Sequence, residues 1–515
     1  MNGSQKMHTG KELWDQPERE ARESSLDISD DELRQLSDQF AALTQNYFAS
    51  VSDRPVFPQT TGAELETQLY ESLPASGQPL SELAADCQKI IDGCRHNGHP
   101  RFFGYVASPS TPPGAFADLL ASAVNASVTS WRSAPAATQI ERTVVRWLGS
   151  LIGYDEQAHG LLTSGGSMAS LTALLMAHRV KAGSGISQSG ISGPRLMIYA
   201  SDQVHFSIVK AADILGLGKE SVRLLPAARD FSLDVRLLRE AAQSDLAQGL
   251  RPCCVIASAG TAATGAIDPL AEIAQVADEF KLWFHIDGAY GAPAAMTDLR
   301  RASFAGLERA DSVSLDPHKW LYTPVDCGCL LYRDATLAQQ AFVTEAEYVK
   351  VHEQAEIESF AFWDYGIELS RRFRALKIWL TLKYYGTRRL AAAITGDIAM
   401  AEYLAERVQA ADDLELLAPV QLSICCFRYL PPGILEQLGG ATDTERESLD
   451  LELNRLNERI MHRVQRGGKA YLSNAMLGGR FALRACIINF RTTRADIDLT
   501  LKVVRDAASE IASED

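Results

Sequence analysis

Between Leu161 and Tyr332 the sequence alternates short apolar runs with longer stretches of amphipathic helical spacing, a texture that few architectures accept. The runs are Leu196-Met197-Ile198-Tyr199, Val222 to Leu225, Cys253 to Ala257, Leu282 to Ile286, Ser312 to Leu315 and Gly328 to Tyr332. Helical periodicity falls between them at Phe206 to Leu215, Leu233 to Ala247 and Pro269 to Phe280. Runs that are short and apolar on both faces are strands buried on both sides, so the pattern predicts an α/β domain with a mainly parallel, doubly covered sheet. Ligands of such sheets lie beyond the carboxyl ends of the strands, which gives weight to any polar motif directly after a run.

A chain of 515 residues exceeds one compact core, so several subdomains are expected. Residues 1–28 are polar and aperiodic and read as a disordered tail. Ser29 with Glu32 forms a capping box, and Leu33, Leu36, Phe40, Leu43 and Tyr47 then recur at helical spacing, opening an N-terminal helical segment over 29–153. The α/β domain is expected over 154–385 and a small α+β domain over 386–515. The formal charge of −15 excludes non-specific attraction to nucleic acid or an anionic membrane. No apolar run is long enough to span a bilayer, and the first residues lack the apolar core of a secretory signal. Nine cysteines show neither a disulfide framework nor zinc spacing, so a reducing, cytoplasmic setting and no metal are expected.

Three motifs follow apolar runs. Ser164-Gly165-Gly166-Ser167 opens a helix, where free N–H groups attract an anion, although Gly-Gly before a helix is more often only a tight turn. In His285-Ile286-Asp287-Gly288-Ala289-Tyr290, Asp287 ends a strand. It is either a turn residue or an acid facing a basic ring nitrogen, with Gly288 and Ala289 leaving room for a flat ring. In Ser314-Leu315-Asp316-Pro317-His318-Lys319-Trp320, a lysine flanked by apolar residues is partly desolvated and a better nucleophile than a solvated one.

Asp287-x-Ala289 and Asp316-Pro317-His318-Lys319-Trp320, with Lys319 lying 32 residues after Asp287, resemble the fold-type I, group II pyridoxal-phosphate (PLP) decarboxylases, a family that includes aromatic-L-amino-acid decarboxylases. The resemblance runs from about Gln68 to the C-terminus. It includes His99-Pro100-Arg101-Phe102-Phe103-Gly104-Tyr105, Trp131 with Ser133-Ala134-Pro135-Ala136, and Arg371 through Lys377. It implies a large domain with a seven-stranded, mainly parallel sheet. It also implies that Lys319 carries PLP as a Schiff base, that Asp287 pairs with the ring nitrogen, and that His205 stacks on the ring. Thr261 and Ala289 would lie beside the ring, Gly165, Gly166 and Ser167 would hold the phosphate, and His318 would fix the lysine loop. Tyr348, on a loop from the neighbouring subunit, would return a proton to the substrate, which implies a homodimer.

The matching substrate-lining positions are Tyr105, Ser108, Thr129 and Trp131. Relative to plant and animal aromatic decarboxylases the chain has Val128 and Thr129 where a glycine and a phenylalanine shape the slot. Val106 replaces an aromatic residue, and Asp316 replaces the phosphate asparagine of the animal enzymes. The expected reaction is decarboxylation of an aromatic or bulky apolar L-amino acid to the amine. The alternatives are an aldehyde synthase, against which Tyr348 argues, and a non-catalytic binding protein, against which Lys319 and Asp287 argue.

Overall fold

The computed structural model describes residues 26–155, 157–183, 185–342 and 358–514. The expected tail therefore lies outside the described residues up to residue 25, as does Tyr348. The chain groups into two compact units, Met1–Val51 with Thr60–Cys94, and Ser52–Gln59 with Arg95–Asp515.

In the first unit the helices Asp30–Ser50 and Gly62–Leu69 each begin with a complete capping box, Ser29 with Glu32 and Thr61 with Glu64. The helix Leu80–Asp92 follows. The apolar stripe of Asp30–Ser50 contains no buried residue, and Leu33, Leu36 and Phe40 stay exposed. Three short helices have too little surface to enclose a core of their own.

The second unit is built on a seven-stranded sheet: β1 (His159–Thr163), β2 (Leu196–Ser201), β3 (Val222–Leu225), β4 (Arg251–Ser258), β5 (Trp283–Asp287), β6 (Ser312–Leu315) and β7 (Gly328–Tyr332). Their spatial order is β1-β7-β6-β5-β4-β2-β3. All pairings are parallel except those of β7, which runs antiparallel to both β1 and β6. The sheet interior is almost wholly apolar, as buried parallel strands require. Because β1, β2, β4, β5 and β6 run the same way, the residues that follow Thr163, Ser201, Ser258, Asp287 and Leu315 gather along one edge.

A five-stranded sheet lies beyond a 35-residue helix, Ala375–Gln409, which is interrupted at Gly386 with a φ of +71°. Its order is Phe102–Phe103, Tyr471–Leu477, Arg480–Cys486, Ile424–Tyr429 and Leu414–Leu416. The outermost strand, Phe102–Phe103, comes from far upstream and pairs in parallel with Tyr471 and Leu472. Nothing in a two-residue strand announces itself in a sequence.

Three cations of the Arg371 to Lys377 segment, Arg371, Arg374 and Lys377, are buried and have structural partners. The Arg371 guanidinium meets the Glu141 carboxylate, and both residues are inaccessible. Arg371 Nη1 also donates to Val128 O at 3.0 Å, Nη2 donates to Leu162 O at 2.8 Å, and Leu162 N donates to Glu141 Oε1 at 2.9 Å. Lys377, fully buried, pairs with Asp118 at 3.0 Å and donates to the carbonyls of Pro324 and Asp326. From behind the lysine turn, Asp397 Oδ2 accepts from Trp320 Nε1 at 2.9 Å and Tyr322 Oη at 2.7 Å.

Two outcomes are expected. Arg371→Met strands the Glu141 charge in the core and should cost about 3 to 5 kcal/mol in urea unfolding, with the Arg371→Met/Glu141→Gln pair much less affected. Equal losses for both variants would show that the ion pair is not the cause. Burial of Asp397 pushes its carboxyl up to about 7, above the ordinary carboxylate range. A folded pKa above the unfolded one contributes stability that is complete below pH ~4 and is lost as pH rises towards 7. Asp397→Asn keeps an acceptor for both donors without the charge. It should therefore gain on wild type between pH 4.5 and 8, by up to about 4 kcal/mol. Parallel pH profiles of unfolding would refute this.

Candidate active site

The carboxyl edge of the large sheet opens into a cavity of about 740 Å³. Tyr105, Gly165, Gly166, Ser167, His205, Thr261, Asp287, Ala289, His318 and Lys319 all line it. These residues come from separate loops, brought together by the common direction of the strands that precede them.

At one end the helix Gly166–Ala182 begins after β1. The Met168 and Ala169 N–H groups donate to Gly165 O, whereas those of Gly166 and Ser167, at the helix start, are placed to meet an anion. A side chain at Gly166 would meet Asp316 Oδ2 at 3.0 Å and Ala289 Cβ at 3.1 Å. One at Gly328 would come within 2.5 Å of Gly165 Cα. The loop is thus a cradle that a Cβ would close.

In the middle stands Asp287, the last residue of β5. Its Oδ1 accepts from Ala289 N at 3.1 Å and from Ser314 Oγ at 3.3 Å. Thr261 lies across from it on the turn after β4. Its Oγ1 is paired with Thr264 Oγ1 at 3.0 Å and accepts from Ala266 N at 3.1 Å, which closes that turn tightly.

Lys319 sits in the one-turn helix Pro317–Trp320 directly after β6. Its Nζ is 3.0 Å from Asp316 Oδ2. Trp320 and Tyr322 are buried around it, and Lys319 faces the cavity together with His318. His318 Nδ1 is engaged with the backbone of Cys327, 2.6 Å from its carbonyl and 3.1 Å from its nitrogen, which ties the lysine turn to the approach of β7. Ser108 does not line the cavity; its hydroxyl donates to His318 O at 3.1 Å and supports the same turn.

His205 covers the cavity from the loop after β2. Its Nδ1 lies 2.8 Å from Ser207 Oγ and accepts from Ser207 N at 3.3 Å, which leaves Nε2 as the protonated nitrogen of a neutral ring. Burial, with Lys319 nearby, pushes its pKa down, against the opposing pull of Asp287. A neutral flat ring suits stacking on another ring.

Thr129 and Trp131 are not among the residues of the single chain that line this cavity. Backbone bonds hold them elsewhere: Trp131 N donates to Phe360 O at 2.9 Å, and Phe362 N donates to Thr129 O at 2.8 Å. Thr129 Oγ1 is turned to Ser133 Oγ at 2.9 Å.

Sequence reasoning missed the opposite wall, where Ser473, Asn474, Ala475, Met476 and Arg484 of the C-terminal hairpin face the cavity. Arg484 is buried, with Nε donating to Ala263 O at 3.1 Å and Nη1 to Tyr105 O at 2.8 Å. A single arginine inside the apolar run Phe481 to Phe490 was the available signal. Among the described residues no cluster of His, Cys, Asp or Glu could hold a metal ion.

These groups fit pyridoxal phosphate. The cradle could take a phosphate, the strand-end carboxylate could pair with a ring nitrogen, the neutral imidazole could cover a ring face and the lysine amine could hold an aldehyde. Independent comparisons point the same way. An aromatic-L-amino-acid decarboxylase of Bacillus atrophaeus is 35% identical over 95% of this chain and 98% of its own. A phenylacetaldehyde synthase of a Rosa hybrid cultivar is 30% identical over 94% of this chain and 96% of its own. The crystal structure of Oryza sativa TDC with PLP and tryptamine superimposes with a TM-score of 0.85 at 29% identity, covering 95% of this chain and all of that one. Residues 63–430 match the pyridoxal-dependent decarboxylase conserved domain, and the chain belongs to that family of PLP-dependent carboxy-lyases.

Proposed function

We propose that this enzyme decarboxylates an aromatic L-amino acid to the corresponding amine and carbon dioxide, as a cytoplasmic homodimer. The observation that carries the substrate class is the composition of the cavity wall. Tyr105 and Met476 offer it apolar surface, and its buried arginine, Arg484, is engaged with the carbonyls of Ala263 and Tyr105. Arg101, the other candidate for an acidic substrate, is turned to Asp496 at 3.0 Å and does not line the cavity. Of the Arg484 nitrogens, only Nη2 is left without a hydrogen-bond partner among the described residues. The Bacillus and rice relatives named above, with an aromatic amino acid and tryptamine in their descriptions, support the same class.

When bound, PLP supplies an electron sink for the pair left behind as the bond between Cα and the carboxylate breaks. The residues of this chain orient that event. Lys319 would hold the cofactor through its side-chain amine. Asp287 balances the positive charge of a protonated ring nitrogen, while the Gly166 and Ser167 N–H groups anchor the phosphate end. His205 holds the ring flat from one face. Tyr348 returns the proton to Cα in place of the carboxylate.

Two features support a second copy of the chain. The helix Pro112–Val124 exposes Phe116, Leu119, Leu120 and Val124, a contiguous apolar stripe of the kind that marks an interface. The chain that returns from the Tyr348 loop, at Phe360 to Phe362, is bonded to Thr129 and Trp131, which do not serve their own cavity. Loop and wall would then reach the partner's cavity together. The cytoplasmic assignment is supported by nine free cysteines, and no helix among the described residues is long and apolar enough to cross a membrane.

Carbon dioxide release from the twenty standard amino acids and dopa tests the substrate class. Release from glutamate or aspartate with none from tyrosine, tryptophan, phenylalanine or dopa would refute it. Lys319→Ala should abolish both turnover and the visible absorbance of bound cofactor, and borohydride reduction of wild type followed by peptide mapping should tag Lys319. A tag at Lys210 or Lys350 would reassign the site. Tyr348→Phe removes the proton donor but keeps the ring. Carbon dioxide release should persist while product shifts from amine to aldehyde, ammonia and hydrogen peroxide as dioxygen intercepts the unprotonated carbon. A wild-type enzyme that already yields aldehyde and peroxide would instead favour the aldehyde-synthase chemistry of the Rosa relative.

A further inference from the structure

Tyr105 is the residue of the cavity wall held in the least favourable backbone conformation. Its φ is +56°, a left-handed value that bulky residues rarely adopt. Its N–H donates to Ser473 Oγ at 3.3 Å, and its carbonyl accepts from Arg484 Nη1 at 2.8 Å. Arg484 Nη1 also donates to Ser473 Oγ at 3.0 Å, so one arginine clamps both sides of the strained residue. These contacts fix the main chain and leave the ring, which is 53% exposed, to be held by something else.

That something lies behind the wall. The guanidinium carbon of Arg95 is 4.8 Å from the Phe102 ring centre, 4.9 Å from that of Tyr105 and 5.6 Å from that of Tyr471. The Tyr105 and Tyr471 hydroxyls are 3.3 Å apart, and Phe57 stacks on the far side of Tyr471 at 5.8 Å. Among the described residues no carboxylate pairs with Arg95; its Nε donates to the Asn97 side chain at 3.1 Å. A guanidinium among three π faces is attracted to all of them and, being planar, can lie flat against a ring where an ammonium cannot. Arg95 itself does not line the cavity.

We propose that Arg95 is a positioning residue for substrate selection. It holds the Tyr105 ring as a rigid wall and so sets the preference of the cavity for aromatic over aliphatic side chains. The proposal rests on the reading that this cavity binds the substrate side chain. It leaves the chemistry at Lys319 and Asp287 untouched, because Arg95 reaches neither the cofactor nor the reacting carbon.

The test is Arg95→Met and Arg95→Lys in the cofactor-loaded enzyme. For Arg95→Met, KM for the best aromatic substrate should rise about tenfold with kcat within about twofold, while KM for leucine or norvaline stays unchanged. Cofactor absorbance and melting temperature should match wild type. Arg95→Lys keeps the charge without the plane and should resemble Arg95→Met; full retention of wild-type selectivity would show that charge alone suffices and overturn the proposal. Parallel losses in kcat for all substrates would overturn it too, as the mark of a merely structural role. A crystal structure of the Arg95→Met holoenzyme reads the idea without any substrate. The Tyr105 ring should leave Tyr471, and an unmoved ring would refute the proposal. The wild-type substrate profile is separate: an enzyme that rejects aromatic amino acids sinks the functional reading, whereas the ring position still decides the role of Arg95.

Discussion

The pairing of Arg371 with Glu141 is the contact on which the phosphate end of the site depends. Two opposite charges removed from water are tolerable only when their geometry and remaining hydrogen bonds are satisfied. Here the backbone of Leu162 and Val128 supplies part of that requirement, and Glu141 Oε2 and Arg371 Nε have no hydrogen-bond partner among the described residues. The pair thereby locks β1 to the helix Pro135–Leu151 and to the loop that carries Thr129 and Trp131. It also lies against Phe362, whose ring centre is 4.0 Å from the guanidinium carbon. The cradle begins two residues after Leu162, so its position is inherited from a salt bridge that never touches the ligand.

The lysine turn is held by the same strategy with different groups. Lys377 draws in the carbonyls of Pro324 and Asp326, His318 closes on Cys327, and Asp397 gathers Trp320 and Tyr322. Each contact removes a degree of freedom from the segment bearing Lys319 without using the amine itself. A nucleophile that must give up and regain a covalent partner at every turnover needs a rigid base and a free tip.

The strands of the large sheet were legible because burial on both faces leaves a run of apolar residues that periodicity detects. The seventh, β1, has only three buried residues and begins with an exposed histidine, so it blended into the turn before the glycines. Asp287, Lys319 and the glycine cradle, which line the cavity, were legible through motif order. Arg484 and Met476 were not, because they reach the cavity from a hairpin some 160 residues downstream of Lys319, and the one clue was an arginine in an apolar run. The cations between Arg371 and Lys377 were visible as a matching stretch, but their partners Glu141, Asp118 and Asp326 lie at distances along the chain that no local pattern reports.

The sequence by itself therefore determined the sheet class, the strand-end chemistry and the cofactor, since each depends on which residue types follow a buried strand. Tertiary structure decided which side chains share a cavity. It placed Thr129 and Trp131 away from their own site, brought the C-terminal hairpin over it, and set Arg95 behind Tyr105. Those outcomes depend on long-range packing and on the direction a clamped backbone points a ring. Neither quantity is written in local composition or spacing.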